Sequence, residues 1–172
     1  MNIFITADNH FNHENIIGYC SRRFDTVYDM NRELIRRWNE TVSPSDMVFH
    51  LGDFAFKHGA RTPEALRAQL NGKIILIRGN HDGSPRMMRA IGFEKVFNEF
   101  VLSHGRHRIY LRHRPTKPCD WLHGCTMHLC GHVHGAWRYH HDFRAVNAGV
   151  DVWDYRPIPI EDAIALWEKE ND

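Results

Sequence analysis

The chain has 172 residues, enough for one domain with a sizeable hydrophobic core, so we expect a single domain spanning residues 1–172. Hydrophobic residues make up 42% of the sequence and charged residues 25%, which is ordinary for a soluble globular protein. The formal net charge of +1 provides no overall field to hold a long nucleic acid, so any such binding would need a local basic patch. The unusual number is 14 histidines.

The first residues lack the basic flank and apolar core of a signal peptide, and no apolar run approaches the length of a membrane span. We therefore expect a cytoplasmic protein with no membrane contact, and no motif implies a protein partner. The four cysteines form no C-x-x-C pair and are expected to be reduced thiols. The alternative is a structural zinc site built from Cys119, Cys125 and Cys130 with His123 or His128.

In chain order, strands alternate with helices in the first part of the sequence. Short apolar runs bounded by turn residues predict strands at residues 2–7, 47–51 and 73–77. Good N-cap residues predict that helices begin after Thr26, Thr62 and Ser84. Pro44, Gly72 and Gly92 are expected to end these helices.

The second part of the chain is mostly strand. Residues 96–102 and 107–111 are predicted to form a hairpin, followed by strands at 126–130, 143–150 and 151–155. A final helix carries Ile164 and Trp167 on one side. This order of elements predicts an α/β sandwich with two sheets.

Five apolar runs end in residues that bind metals. The endings are Asp8-Asn9-His10, Gly52-Asp53, Gly79-Asn80-His81-Asp82, His113-Arg114 and Gly131-His132-Val133-His134. Open α/β sheets place their ligands at the carboxyl ends of strands, beside helix N-termini. Five strand ends of this kind are hard to explain as independent accidents.

The residue types at these ends indicate which metals they would hold. The candidate ligands are Asp8, His10, Asp53, Asn80, His113, His132 and His134. Carboxylate and amide oxygens mixed with imidazole suit Mn²⁺, Fe or Zn²⁺, with Ni²⁺ as a further option, and we expect Mn²⁺. Seven ligands suit two ions about 3.5–4 Å apart if one carboxylate bridges them. A hydroxide between the ions could attack a phosphate ester, with His81 protonating the leaving oxygen as general acid.

Taken together, the five motifs resemble the complete motif series of the calcineurin-like metallophosphoesterases, in the family's order and over almost the whole chain. The compact length resembles the small bacterial and phage phosphodiesterase branch. The resemblance implies a four-layer αββα sandwich of two mixed sheets flanked by helices, with a dimetal site at the strand ends. It also implies that Asp8, His10 and His134 hold one ion, that Asn80, His113 and His132 hold the other, and that Asp53 bridges.

One departure from the family pattern bears on the substrate. Family members that are protein serine/threonine phosphatases continue Gly-Asp with x-x-Asp-Arg-Gly, whereas this chain has Phe56 and Lys57 at the acidic and arginine positions. Lysine is a point charge and cannot replace the bidentate arginine fork. The sequence therefore argues against a protein phosphatase, and Asp82 is a candidate for the missing carboxylate near His81.

We expect a phosphodiesterase that acts on small nucleotide-like or cyclic phosphodiesters. The candidates for substrate contact are Asn9, Lys57 and Arg114, and those for stacking a base are Trp121, Trp137, Tyr139, Trp153 and Tyr155. A phosphomonoesterase and a nuclease acting on DNA or RNA ends remain alternatives with the same chemistry. A catalytically inactive scaffold of the same fold is an alternative from a different class.

Overall fold

The computed structural model describes residues 1–57, 59, 61–122 and 124–171. The first of its two sheets contains the strands β1 Ile3–Thr6, β2 Met47–His50, β3 Lys73–Ile77, β4 Lys95–Phe97 and β10 Ile158–Pro159. Their order across the sheet is β10-β1-β2-β3-β4. The strands β1 to β4 are parallel and β10 is antiparallel to β1, so the sheet is mixed.

The second sheet is also mixed. Its strands are β5 Glu99–His104, β6 His107–Arg112, β7 Met127–Cys130, β8 Tyr139–His140 and β9 Ala145–Asn147. Their order is β5-β6-β7-β9-β8, with β6, β7 and β9 parallel and antiparallel strands at both edges.

The helices are α1 Asn15–Tyr19, α2 Val27–Thr41, α3 Pro63–Arg67, α4 Pro85–Ile91 and α5 Ile160–Asn171. The predicted N-caps are confirmed: the hydroxyls of Thr26, Thr62 and Ser84 each accept a backbone N–H from the first turn. None of the five described helices has the length and hydropathy of a membrane-spanning segment.

Two hydrophobic cores lie on opposite faces of the first sheet. Because side chains alternate along a strand, Phe4, Val48 and Ile74 face the helices, where they join Leu34 and Trp38 of α2. Their neighbours Ile5, Phe49 and Ile75 face the second sheet and pack with Leu111, Leu129 and Val146. Helix α5 closes the second core through Ile160 and Ala163. The predicted α/β fold of two mixed sheets flanked by helices is confirmed.

The predicted strand 96–102 is only partly correct: from Glu99 onward it forms the predicted hairpin with β6, but the chain passes from one sheet to the other at Asn98. Strand β4 ends at Phe97 in the first sheet, and β5 begins at Glu99 in the second. Phe97 and Phe100 both contact the core between the sheets, with ring centroids 5.0 Å apart. Residues three apart in one straight strand point to opposite faces, so this shared direction requires the break at Asn98.

The predicted strand 151–155 is also wrong, and only part of 143–150 is strand. Residues Val150–Val152 form a 3₁₀-helix, and Asp154 and Tyr155 have φ angles of 52° and 57°. A left-handed backbone cannot continue a strand. The short strand β9 therefore leads directly into a tight turn, which places Asp151 beside the end of β1.

The sheets bring the predicted ligand motifs to one edge. The parallel register pairs Thr6 with His50 and His50 with Leu76, so β1, β2 and β3 end together. Strands β6 and β7 of the second sheet are also parallel neighbours. An isolated bridge between Ala7 and Gly149 joins the two sheets at this edge.

Candidate metal centre

The backbone is strained where the predicted ligands lie. Five of the seven have left-handed φ angles between 49° and 73°, namely Asp8, His10, Asp53, His132 and His134. Such a conformation costs about 1–3 kcal/mol for a residue with a side chain and persists where the surrounding structure enforces it. Strain of this kind gathers at functional sites, and here it occurs at five of the seven residues that the sequence predicts as ligands.

Three of the predicted ligands form a first group. Donor atoms of Asp8, His10 and His134 lie within 4.8 Å of one another. Asp8 and His10 follow β1, and His134 lies in the loop after β7. The two sheets thus both contribute to this group.

A second group consists of Asp53, His113 and His132, whose donor atoms also lie within 4.8 Å of one another. Asn80 joins them, because its Oδ1 is 3.1 Å from Nε2 of His113. Nδ1 of His113 donates to the carbonyl oxygen of Leu51 at 2.7 Å, so Nε2 is the ring nitrogen that faces the group. The membership of the two groups matches the division between ions that the family resemblance implies.

One carboxylate oxygen faces both groups. Oδ2 of Asp53 is 3.5 Å from Nε2 of His10 and 3.4 Å from Nε2 of His113. The other oxygen, Oδ1, accepts the backbone N–H of His81 at 2.9 Å. Burial would raise the pKa of Asp53, but the hydrogen bond from His113 and the nearby imidazoles outweigh it and hold the pKa below its usual range. Asp53 is therefore an ionised carboxylate in the position of a bridge.

The donor atoms fit divalent cations. Among the described residues, Oδ1 of Asp8 and Nε2 of His10 are buried without a hydrogen-bond partner. Burial lowers the pKa of His10 to about 2 and that of His132 to about 4, so both imidazoles are neutral and have a lone pair to offer. Burial also raises the pKa of Asp8 to about 7, which indicates a carboxylate whose charge needs a cation beside it. Two divalent ions would satisfy these groups.

Two glycines make room for the carboxylates. A methyl group on Gly79 would overlap Oδ1 of Asp53, and one on Gly131 would lie 2.8 Å from Oδ2 of Asp8. The Asp8 oxygen also accepts the backbone N–H of His132 at 2.8 Å. A side chain at Gly79 or Gly131 would therefore collide with a carboxylate of the site, which explains the glycines of these two motifs.

Two residues outside the predicted motifs, Asp151 and Arg22, support the first group. Oδ2 of Asp151 lies 3.1 Å from Nδ1 of His134, which must donate because a carboxylate only accepts. Arg22, whose side chain is fully buried, binds Asp151 and also donates to the carbonyl oxygens of Asp8 and Asn9 at 2.7 and 2.9 Å. A signal for Asp151 existed, since it closely follows β9 as the other motifs follow their strands.

Asp82 does not take the role considered for it beside His81. Its two carboxylate oxygens accept backbone N–H groups from Asp53, Phe54 and Gly79 at 2.7–3.0 Å. Burial raises its pKa, against those three hydrogen bonds. Asp82 thus ties the loop after β2 to the loop after β3, and these are the loops that present Asp53 and Asn80.

A cleft of about 750 Å³ adjoins the first group. We call it the aromatic cleft, because His13, Tyr19, Phe56 and His81 line it together with His10 and His134. His81 is exposed there, with its ring centroid 5.4 Å from that of His10. The side chain predicted to act as general acid therefore faces this cleft.

A second cleft of about 240 Å³ adjoins the second group and is lined by Arg78, Asn80, Arg112, His113 and Arg114. We call it the basic cleft. The guanidinium of Arg114 lies 3.4 Å from Oδ1 of Asn80, which brings this predicted substrate contact to the site. Lys57 is exposed and is not among the described lining residues of either cleft.

Asn9 lies beneath the site rather than in a cleft. It is 1% exposed, and its Oδ1 is 2.8 Å from Nε2 of His50. Burial lowers the pKa of His50 to about 3, so that imidazole is neutral, and its Nδ1 accepts the backbone N–H of Gly52 at 3.1 Å. These contacts place the Asn9 amide in the support of the loops and away from substrate.

The five aromatic residues suggested for base stacking lie elsewhere. Trp121, Trp137, Tyr139, Trp153 and Tyr155 are absent from the described linings of both clefts. Trp121 packs near His128, Trp137 near Phe143, and Tyr155 against Phe24. The rings beside the candidate centre are instead those of Phe56, in the loop after β2, and Tyr19, at the end of α1.

The alternative zinc site is not formed by the cysteines within the described chain. Cys119 is exposed and Cys130 is buried, and the described metal-type groups include neither of them nor Cys125. Nδ1 of His128 donates to the carbonyl oxygen of Tyr110. His123 lies outside the described residues.

Comparison with known proteins agrees with this geometry. Residues 1–160 match the family model described as the calcineurin-like phosphoesterase superfamily domain. The uncharacterized protein MJ1445 of Methanocaldococcus jannaschii is 35% identical over 173 residues, covering 97% of this chain and 92% of that protein.

A solved structure with a similar fold covers nearly the whole chain. The crystal structure of the protein of unknown function AQ665 from Aquifex aeolicus is 27% identical with a TM-score of 0.76, covering 96% of this chain and 98% of that one. The phosphoesterase Yfce from E. coli is a more distant match, with 19% identity, a TM-score of 0.48 and coverages of 92% and 82%. With a family match over nearly its whole length, this chain belongs to the calcineurin-like phosphoesterase superfamily, as its five strand-end motifs predicted.

Proposed function

We propose that this phosphoesterase is a two-metal phosphodiesterase acting on nucleotide-like phosphodiesters. The observation that carries the proposal is the pair of clefts, one beside each ligand group. A phosphorus atom bound between the groups would have space on two sides, which a diester with two substituents needs. A monoester would fill only one of them.

In this proposal, Asp8, His10 and His134 would hold one ion and Asn80, His113 and His132 the other, with Asp53 as a ligand available to both. Mn²⁺ suits this mixture of oxygen and imidazole donors, with Fe, Zn²⁺ and Ni²⁺ as alternatives. When bound, such ions supply positive charge for the phosphate oxygens and lower the pKa of bound water. Asp82, Asp151 and Arg22 fix the loops and the imidazole that would hold them.

His81 is the general acid of the proposal. Hydrolysis forms a bond between the oxygen of water and phosphorus and breaks the bond from phosphorus to the leaving oxygen. The leaving oxygen needs a proton, which the His81 imidazolium supplies from the aromatic cleft. The hydrogen bond from the His81 backbone N–H to Oδ1 of Asp53 holds His81 in a fixed position beside the Asp53 carboxylate.

The basic cleft would hold the substituent that stays on phosphorus. Arg112 and Arg114 are exposed there, and their guanidinium groups suit a negatively charged phosphate or carboxylate. Phe56 takes the place of the acidic residue of the protein phosphatases and offers a ring to the other substituent. Both features favour a small nucleotide-like diester over a phosphoprotein.

The test is hydrolysis of bis-p-nitrophenyl phosphate against p-nitrophenyl phosphate by chelated protein reloaded with Mn²⁺. We expect a higher kcat/KM for the diester. Arg114→Ala should raise KM for an anionic dinucleotide, whereas Arg86→Ala, an exposed arginine on α4, should not. A preference for the monoester would transfer the protein to the phosphomonoesterases, and activity on long nucleic acid ends alone would support the nuclease alternative.

A further inference from the structure

The aromatic cleft has a lining that limits what can enter it. Its described lining residues include no aspartate, glutamate, lysine or arginine, in contrast with the three arginines of the basic cleft. Its volume of about 750 Å³ lies in the range of about 300–1,000 Å³ typical of small-molecule sites. The lining instead consists largely of rings and small side chains, which suit a ring system of substantial size.

The rings of the cleft are arranged as a platform for a flat group. His13 and Phe56 stack with centroids 4.0 Å apart and an interplanar angle of 23°. Tyr19 meets His13 edge-on at 6.1 Å and is 75% exposed. A large aromatic side chain with so much exposed surface, at the mouth of a cleft, is available to stack on a ligand.

The platform is fixed in position. The backbone N–H of Phe56 donates to the carbonyl oxygen of Phe11 at 2.8 Å, and Ala55 forms a bridge with Phe11. Phe11 is fully buried and directly follows His10. The ring of Phe56 is thereby set against the same loop that carries two proposed metal ligands, with its centroid 5.1 Å from that of His81.

The position of His81 indicates that the leaving group of the substrate, and not the retained substituent, contacts these rings. A general acid must lie within hydrogen-bond reach of the leaving oxygen. Since His81 lines the aromatic cleft, the leaving group must extend into that cleft. The retained substituent then lies toward the basic cleft.

We propose that the aromatic cleft binds the leaving group of the substrate and that this leaving group is a nucleoside whose base stacks on Phe56 and Tyr19. Ser21, also in the cleft lining, offers a hydroxyl to the polar edge of such a base. This inference rests on the proposed phosphodiesterase function, because it names the group that the reaction releases. Phe56 and Tyr19 are its specificity residues.

Binding tests the base subsite without turnover. The probes are the phosphonate analogue of adenosine 5′-monophosphate, in which a methylene replaces the bridging oxygen, and the same compound without its base. We expect the Mn²⁺-loaded protein to bind the first about 5–100-fold more tightly, since aromatic stacking contributes that much per base. The ratio should approach one in Tyr19→Ala and in Phe56→Leu, which keeps apolar bulk without a ring.

Tyr28→Ala is the matched control, because Tyr28 is an exposed tyrosine on α2 outside the aromatic cleft. It should leave the ratio unchanged. Equal binding of the two analogues by the unmodified protein would overturn the inference. An unchanged ratio in the double variant Tyr19→Ala and Phe56→Leu would overturn it as well.

Turnover tests the orientation. The substrates are a thymidine dinucleoside monophosphate and its two analogues in which one base is replaced by hydrogen, and product analysis identifies the nucleoside released. Loss of the released base should raise KM about 5–100-fold, and loss of the retained base should change it little. The reverse pattern would overturn the inference while leaving the phosphodiesterase proposal intact. If no diester is cleaved but the analogues still differ in binding, the proposed function fails and the base subsite stands.

Discussion

Nδ1 of His134 donates a hydrogen bond to Oδ2 of Asp151 over 3.1 Å, and Asp151 is in turn bound by the buried guanidinium of Arg22. Burial alone would lower the pKa of His134, but the hydrogen bond to Asp151 and the other nearby groups raise it to about 10. The carboxylate thus fixes the orientation of the imidazole and makes its Nε2 a better donor to a metal ion. The pair links the loop after β7 to the turn after β9.

Asp151→Asn should weaken the binding of one of the two proposed ions about 10–100-fold and leave the binding of the other unchanged. Among the proposed ligands, Asp151 forms a hydrogen bond only with His134. Titration of the chelated protein with Mn²⁺ measures this directly. Asp154→Asn is the control, since Asp154 is an exposed aspartate of the same turn that pairs with Arg37 and Arg156. An equal loss of affinity for both ions, or the same loss in Asp154→Asn, would refute the role of Asp151 in orienting His134.

Arg22→Met should destabilise the metal-free protein by about 3–5 kcal/mol. The change removes one partner of a buried ion pair, leaves two backbone carbonyls without their donor, and leaves the Asp151 carboxylate with His134 alone. Urea denaturation in the presence of a chelator gives the free energy of unfolding. Arg23→Met, at an exposed neighbouring position, should change it by no more than about 0.5 kcal/mol. Similar losses in the two variants would contradict the structural role of Arg22.

The seven candidate ligands could be proposed from the sequence because each lies within four residues of the end of one of five strands. Local pattern was enough to place Asp8 after β1 and Asn80 after β3, and parallel pairing brought those ends together. Asp151 was missed because β9 has only three residues and its contact with His134 depends on the tight turn that follows. Arg22 resembles a surface arginine in sequence, and only the packed loops show that it is buried.

The loops around the site were the least predictable part. Phe56 and Tyr19 lie in or beside irregular segments, so no periodicity indicates where their rings point. The later tryptophans looked equally suitable for stacking and proved to pack elsewhere. The break between β4 and β5 was missed for a related reason: Phe97 and Phe100 are both good strand residues, and only the second sheet determines that they belong to different strands.

Asp53→Asn should lower the affinity for both proposed ions, because Oδ2 of Asp53 faces one imidazole of each ligand group. A ligand at a hundred times its Kd stabilises the folded state by about 2.7 kcal/mol, so Mn²⁺ should raise the Tm of the unmodified protein by several degrees. This rise should largely disappear in Asp53→Asn and persist in Cys125→Ser. If Cys125→Ser abolished the rise and Asp53→Asn did not, the metal would belong to the cysteine cluster instead.

Gly79→Ala should lower activity by displacing the Asp53 carboxylate. The backbone of Gly79 is not left-handed, so alanine adds no conformational strain there. The added methyl group would overlap Oδ1 of Asp53 and displace the carboxylate. A shift of about 1 Å in a group of this kind costs about 10²-fold in turnover. Bound Mn²⁺ and kcat on a diester measure the effect. Gly18→Ala in α1 is the control, because a methyl group there meets no atom within 4 Å. It should keep full activity and raise the free energy of unfolding by about 0.5–1 kcal/mol. Comparable activity in the two variants would rule out the steric argument.

His81→Ala should keep both ions, because the His81 side chain belongs to neither ligand group, and should lower turnover of diesters with alkyl leaving groups about 10²–10⁴-fold. The loss should be smallest for nitrophenolate, which leaves without a proton. His104→Ala, at the end of β5, should change neither rate. Metal content is measured alongside the rates, so that a lost ion is not mistaken for a lost proton donor. Equal losses for alkyl and nitrophenyl esters, with metal retained, would remove His81 from the general-acid role and assign the proton to solvent entering through the aromatic cleft.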